Sequence, residues 1–194
     1  MKFKMIVASL CMALFTSLSA QAAENYVIDT QKHHAFIQFK VKHLGYSWLL
    51  GRFDAFTGSF TYDAKHPEKN SVKVIIDTAS IDSNHAKRDK HLRSADFFDV
   101  GKYPTATFES TSYQATGKNS AILKGKLTLR GVTKEIAIDL TQIGAGPDPW
   151  GGYRRGFEGH TTLHLSDYHM PFAPKLGPVS EDVELYLSIE GIRQ

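Results

Sequence analysis

Cysteine is nearly missing from this chain: Cys11 is the only one in 194 residues. It sits inside an apolar run, Met5 to Leu18, that follows Lys2 and Lys4 and leads to Ala20-Gln21-Ala22. A basic start, an apolar stretch and a small-x-small site together have the layout of a secretory signal peptide. The run is shorter than the roughly 20 residues that a membrane-spanning helix needs. Cys11 lies mid-run behind Leu10, which excludes a lipid-modified N-terminal cysteine as well. Residues 1–22 are therefore expected to be removed, leaving one domain, residues 23–194, with no thiol. Disulfides and thiol catalysis are excluded even in an oxidising compartment, and stability has to come from the core.

Charge of one sign is scarce too. The formal net charge of +3 counts Lys2 and Lys4, so the domain is nearly neutral, unlike nucleic-acid binders with their strong basic excess. Beyond residue 22 no apolar run is long enough to span a membrane. There is no G-x-S-x-G elbow and no Gly-rich phosphate loop. Asp96 and Asp99 are spaced along one helix face, but solvated carboxylates explain them as well as acid–base chemistry does. Nothing in the sequence asks for an enzyme. The nine histidines supply no metal set. His160 and His164 share a strand face but lie roughly 13 Å apart at strand rise. His85 with Asp89, and Lys87 with His91, have helical spacing without a third ligand, and His33 and His34 point to opposite faces of an extended chain. No metal is expected.

What is present is alternation with a period of two. Ala35, Ile37, Phe39 and Val41 fall on one face of a segment whose other face carries Gln38, Lys40 and Lys42. Similar alternation runs through Phe56–Asp63, Val72–Ile76, Ala106–Glu109, Leu123–Arg130, Glu135–Leu140, Phe157–Leu165 and Val183–Glu190. Turn-forming residues separate these runs at 66–71, 117–119 and 131–133, and loops are expected at 144–152 and 170–178. About eight strands at such spacings, with no strand–helix–strand rhythm, indicate an all-β antiparallel meander, either a barrel or a sandwich. The exception is Arg88 to Ser110, which opens helical and becomes a strand only after Pro104. Asp82 or Ser83 is expected to cap this helix, with Lys87, Arg88, Lys90 and Arg93 towards its C-terminal end and a second short turn from Ser94 to Phe98. A helix beside a barrel is placed to close one end of it.

If the sheet closes, the inward residues are Ile37, Phe39, Val41, Phe60, Val74, Ile76, Phe108, Leu127, Leu129, Ile136, Ile138, Leu163, Leu165, Leu185 and Leu187. Strands of about ten residues tilted about 40° would make a bore roughly 25 Å tall, suited to an elongated apolar ligand. If it does not close, the same residues interlock as a dry sandwich core, and periodicity alone favours that simpler arrangement. Trp48, in HLGYSWLLGRF, is too hydrophobic for a routine loop and is expected at the barrel mouth or in the core. Arg88, His91 and Arg93 could meet a polar head group at the mouth, or form a solvated helix end.

Several stretches carry a resemblance. Tyr26-Val27-Ile28-Asp29, Phe39 to Gly45, Arg88 to Arg93 with Asp96-Phe97-Phe98-Asp99, Tyr103-Pro104 with Phe108-Glu109-Ser110, and Gly125 to Lys134 resemble, in order and spacing, the YceI-like family of exported, polyisoprenoid-binding proteins. The likeness runs from Tyr26 to Ile192. It implies a lipocalin-like antiparallel β-barrel with a short helical lid, whose inward residues and Trp48 line a pore for a long prenyl chain. The implied ligand is an isoprenoid quinone or polyprenyl phosphate, with no other cofactor and with the periplasm as the compartment. Transient membrane contact and a homodimer through a strand edge are compatible with that reading. An enzyme acting on a lipid-like substrate in the same cavity, and a stress-related structural or interaction β-sandwich, are the rival readings.

Overall fold

The computed structural model describes residues 23–32, 34–177 and 180–194. The expected signal peptide, with Cys11, and His33 lie outside the described residues. The described residues form eleven strands: β1 (Glu24–Ile28), β2 (Phe36–His43), β3 (Ser47–Phe53), β4 (Phe56–Tyr62), β5 (Ser71–Asp77), β6 (Ile81–Asp82), β7 (Thr105–Ala115), β8 (Ser120–Leu129), β9 (Val132–Pro147), β10 (Tyr153–His164) and β11 (Asp182–Arg193). One α-helix, α1 (Ala86–Arg93), lies between β6 and β7 among the described residues.

The ladder β1-β4-β5-β7-β8-β9-β10-β11 returns to β1 and closes a barrel of eight antiparallel strands. Closure runs through β1, where Tyr26 is paired with Phe60 of β4 on one side and Arg193 of β11 on the other. The remaining strands extend three of these eight. β2 takes up the line of β1 along β11, since Ile28 faces Gly191 and Phe36 faces Ser188. β3 pairs with β2 and β6 much as β4 pairs with β1 and β5. The first three barrel positions are thus broken strands, with β1, β4 and β5 at the lower end and β2, β3 and β6 at the upper. The chain is an eight-stranded meander, and the lipocalin-type barrel expected from the resemblance is the observed fold. The sandwich alternative falls, because the eight strands form one ladder that returns on itself through β1, whereas a sandwich needs two separate sheets.

At the upper end β6 and β7 do not pair, and α1 with residues 94–104 fills the opening. Thr78 ties this segment down, its hydroxyl donating to the Tyr103 carbonyl at 2.7 Å and its amide to that of Pro104 at 3.0 Å. Arg130 holds two upper loops together by donating to the carbonyls of His169 (2.7 Å) and Ala95 (3.1 Å). The helix is capped neither by Asp82 nor by Ser83. His85 is the N-cap, its Nδ1 accepting from the Arg88 amide at 3.2 Å. Asp82 is used by the Asn84 amide (2.8 Å), and the Ser83 hydroxyl donates to Asp89, so both expected caps are engaged one step early. The loop expected at 144–152 is shorter than its composition suggested. β9 runs on to Pro147, and Gly144, Ala145 and Gly146 pair with Gly156, Arg155 and Arg154. Backbone pairing with β10 outweighs the low strand propensity of glycine there.

Candidate functional site

The alternation of the strands turns apolar side chains into the barrel, but their sizes decide where space remains. At the upper end lies a cavity of about 320 Å³. Its wall takes Ile37, Phe39 and Val41 from β2, Ile76 from β5, Leu127 and Leu129 from β8, Leu163 from β10, Leu165 just after it, and Leu185 from β11. The lid supplies Leu92, Phe97, Phe98, Phe172 and Leu176. Among the described residues polar groups reach the lining in four places, His43, Ser83, Arg88 and His91. The composition did not flag the aromatic lid residues as lining, although Phe97 and Phe98 stood in the helical segment expected to close the barrel.

Six of the inward residues do not line this cavity. Val74, Phe108, Ile138 and Leu187, with Ile136 beside them, are packed into the core below it. Phe60 lines a second, smaller cavity of about 70 Å³ at the lower end, with Tyr62, Tyr113, Leu123 and Phe157. Among the described residues the two cavities share no lining residue. The expected bore along the whole axis is therefore replaced by two chambers and a filled waist. The ring of Phe108 lies across Gly125 of β8, where a Cβ would collide with it, and so reaches over the neighbouring strand. Gly159 leaves room in the same way for Ile138, Leu140 and Leu187.

Trp48 is neither at the cavity wall nor in the core. Leu49, Gly51 and Phe53 take the inner face of β3, so strand alternation turns Trp48 outward, where the ammonium groups of Lys40 and Lys42 lie 4.6 and 5.4 Å from its ring centre. Arg93 is likewise not a mouth residue. Its Nε and Nη2 donate to the carbonyls of Ala79 (2.7 Å) and Ile81 (2.6 Å), which fastens α1 to the strand beneath. Arg88 does reach the lining, held by Ser83 through Nε to Oγ (2.7 Å) and Nη2 to O (2.6 Å). His91 also reaches it, packed edge-on against Phe97 and Phe172, with Nε2 2.8 Å from Asp96 Oδ2.

Asp89 anchors this corner from within. It is buried and accepts from the Ser83 amide (2.9 Å) and hydroxyl. Burial alone would raise its carboxyl, but these hydrogen bonds outweigh it and hold the group below the usual carboxylate range.

A second polar group, which sequence reasoning missed, closes the lower end. Arg155 follows the inward parity of Phe157 and Gly159 and is buried. Its guanidinium donates to Tyr26 Oη (3.2 Å), Gln142 Oε1 (3.0 Å) and Glu24 Oε2 (3.1 Å) and lies 3.7 Å from the Tyr62 ring centre. Burial and the neighbouring Glu24 push the Tyr26 hydroxyl up to about 12. Each nitrogen has a partner, so the cluster is a plug and presents no unsatisfied group to a substrate. Nearby, Asp29, His34 and Glu190 bring ligand-type atoms within 4.8 Å of one another. Arg154 already bonds both carboxylates, at 2.7 Å to Asp29, so a guanidinium stands where a metal cation would.

Comparison with known proteins agrees with this architecture. A UPF0312 protein of Pseudomonas paraeruginosa is 59% identical over 182 residues, covering 94% of this chain and 93% of its own. The crystal structure of the Campylobacter jejuni YCEI protein superposes with a TM-score of 0.72 at 28% identity, over 80% of this chain and 91% of that one. A polyisoprenoid binding domain from Saccharophagus degradans superposes with a TM-score of 0.64 at 16% identity, over 87% of this chain and 98% of that one. The family model of the YceI-like domain matches residues 26–191, nearly the whole barrel, and the chain belongs to that family.

Proposed function

We propose that the protein is a carrier that holds an elongated isoprenoid lipid, an isoprenoid quinone or polyprenyl phosphate, in its upper chamber, and that it works in the periplasm after removal of residues 1–22. The observation that carries this reading is the chamber itself: an apolar wall of about 320 Å³ whose few polar groups, His43, Ser83, Arg88 and His91, come from the upper hairpin and the lid. Ligand pockets range upward from about 300 Å³, so the chamber suits the first few units of a prenyl chain better than its full length. Each methylene buried there is worth about 0.8 kcal/mol, which makes the wall the source of affinity and the polar groups the source of orientation. The polyisoprenoid binding of the Saccharophagus degradans domain, a similar barrel, supports the ligand class. Binding without turnover is favoured over catalysis because the two polar clusters, around Arg155 and around Asp89, are satisfied internally, and the buried Tyr168 hydroxyl, which has no partner among the described residues, stands alone among apolar core residues.

Organic extraction of the purified protein followed by mass spectrometry tests the reading. A prenyl lipid in near-stoichiometric amount is expected, and an extract without one would overturn it. Leu127→Asp should abolish retention, since a carboxylate in the apolar wall cannot be solvated. His91→Ala should reduce retention far less. Equal losses in two variants that melt like the parent would transfer the affinity to the head group.

A further inference from the structure

The β2–β3 hairpin has two unlike faces at the upper end of the barrel. Its inner face, with Val41, His43, Leu49 and Phe53, walls the chamber. Its outer face and tip expose Tyr46 by 87%, Leu50 by 67%, Leu44 by 54% and Trp48 by 45%. Four large apolar or aromatic side chains on one exposed hairpin of a nearly neutral domain are an interaction surface. The tip itself is unusual. Leu44 has φ +51° and is followed by Gly45 at φ +84°, with the Tyr46 amide donating to the His43 carbonyl at 2.9 Å. Left-handed turn positions favour Gly, Asn or Asp, and a leucine there gives up local comfort to hold an apolar side chain out in water.

Cations are present at the same end of the barrel. Lys42 on the hairpin, Lys87 and Lys90 on α1 and Lys175 on the loop after β10 are exposed at the same end, and none is in an ion pair among the described residues. Three carboxylates of this end are engaged, Asp96 with His91, Asp182 with His164 and Glu184 with Lys40, while Asp99 and Glu181 are in no ion pair among the described residues. The upper end therefore combines exposed aromatic and leucyl side chains with ammonium groups that are in no ion pair among the described residues. That combination matches the interface of a bilayer, where Trp and Tyr sit at head-group level and anionic phosphates attract lysine.

We infer that the β2–β3 hairpin docks on an anionic lipid bilayer, with Leu44 and Tyr46 entering the interface, so that the chamber mouth faces the membrane from which the lipid comes. The inference rests on the carrier function above and adds the surface through which cargo passes.

The test uses the purified protein, Leu44→Ser/Tyr46→Ser and Lys42→Gln/Lys87→Gln/Lys90→Gln, all with the same N-terminus. Each is co-sedimented with vesicles of phosphatidylethanolamine and phosphatidylglycerol, and with vesicles of phosphatidylcholine. The parent should bind the anionic vesicles, more weakly as salt rises. The tip variant should bind them at least about tenfold less, from the loss of buried apolar area. The lysine variant should lose binding to the anionic vesicles while its weak partition to phosphatidylcholine is unchanged. All altered positions are exposed, and melting curves matching the parent check the fold. A parent that ignores vesicles, or a tip variant that binds as well as the parent, overturns the proposal. So does sedimentation showing a dimer that the tip variant splits, without vesicle binding, because the occupant is then a second copy. Extraction of the same samples separates the two readings. Prenyl lipid in a protein that ignores vesicles refutes docking alone, whereas vesicle binding by a protein without prenyl lipid refutes carriage alone.

Discussion

Arg155 is a cation at an inward strand position, in a barrel whose other inward side chains are nearly all apolar. An isolated buried charge would not persist, and this one is held by Glu24, Tyr26 and Gln142 under the face of Tyr62. Removing one partner of such a group usually costs about 3 to 5 kcal/mol. Here the lower figure applies, because Arg193 still donates to Glu24 at 2.8 Å after Arg155 is gone. Arg155→Met should therefore lower the unfolding free energy by about 3 kcal/mol in urea titration, and Arg155→Met with Glu24→Gln should lose less than the sum of the two single changes. Additive losses would mean that the pair does not act as a unit. The position was legible in principle, since Arg155 stands two residues before Phe157 and shares its parity. A charged residue next to a glycine-rich loop is instead read as solvated, because alternation is noticed through hydrophobic contrast. Trp48 misled in the opposite sense. Its bulk suggested burial, but three neighbours, Leu49, Gly51 and Phe53, had already taken the inner face.

At the scale of elements, the sequence was most readable where one face is dry and the other polar, as in β2, β8 and β10. β3 has no such contrast, with Trp48 and Leu50 outside and Gly51 inside, and β1 is five residues long, so neither stood out as a strand. The helix was located, but not its cap. Capping depends on which of several adjacent polar groups finds another partner first, and Ser83 finds Asp89 across the start of the helix. Asp89 thereby becomes the anchor of the lid, with a testable pH dependence. Its folded-state carboxyl lies below the ordinary value of 3.8, so the ionised form is favoured by folding. The stability it contributes is complete above the unfolded value and disappears as pH falls through the lower folded one. The parent should lose stability as the solution is acidified below about pH 4. Asp89→Asn should begin about 1 to 3 kcal/mol less stable at neutral pH and show a flatter acid limb in denaturant titrations. Asp29, lowered after burial is outweighed by Arg154 and His34, contributes in the same direction and remains in the variant, so the limb should flatten without vanishing. An unchanged limb would remove Asp89 from the account.

For the molecule as a whole, the alternating pattern specified one dry face but not what lies across from it, so closure came from the resemblance and is realised through β1. Where the void sits was even less legible, because periodicity treats Phe108 and Leu127 alike. The structure separates them by shape. Leu127 lines the upper chamber, whereas the Phe108 ring leans over Gly125 and, with Val74, Ile138 and Leu187, fills the space between the chambers. A prenyl chain longer than the upper chamber has to stop at that layer or displace it, which makes Phe108 the residue that limits length. Phe108→Ala should join the two chambers and shift the mass spectrum of extracted lipid to longer chains than the parent holds. Without lipid it should be less stable by about 3 to 5 kcal/mol, the usual consequence of deleting a buried phenyl ring. Bound lipid should restore part of that loss, since chain carbons then occupy the vacated volume and ligand binding stabilises the folded state. The same lipid profile in variant and parent, with the full loss of stability and no rescue, would show that the waist is ordinary core and sets no limit on the chain.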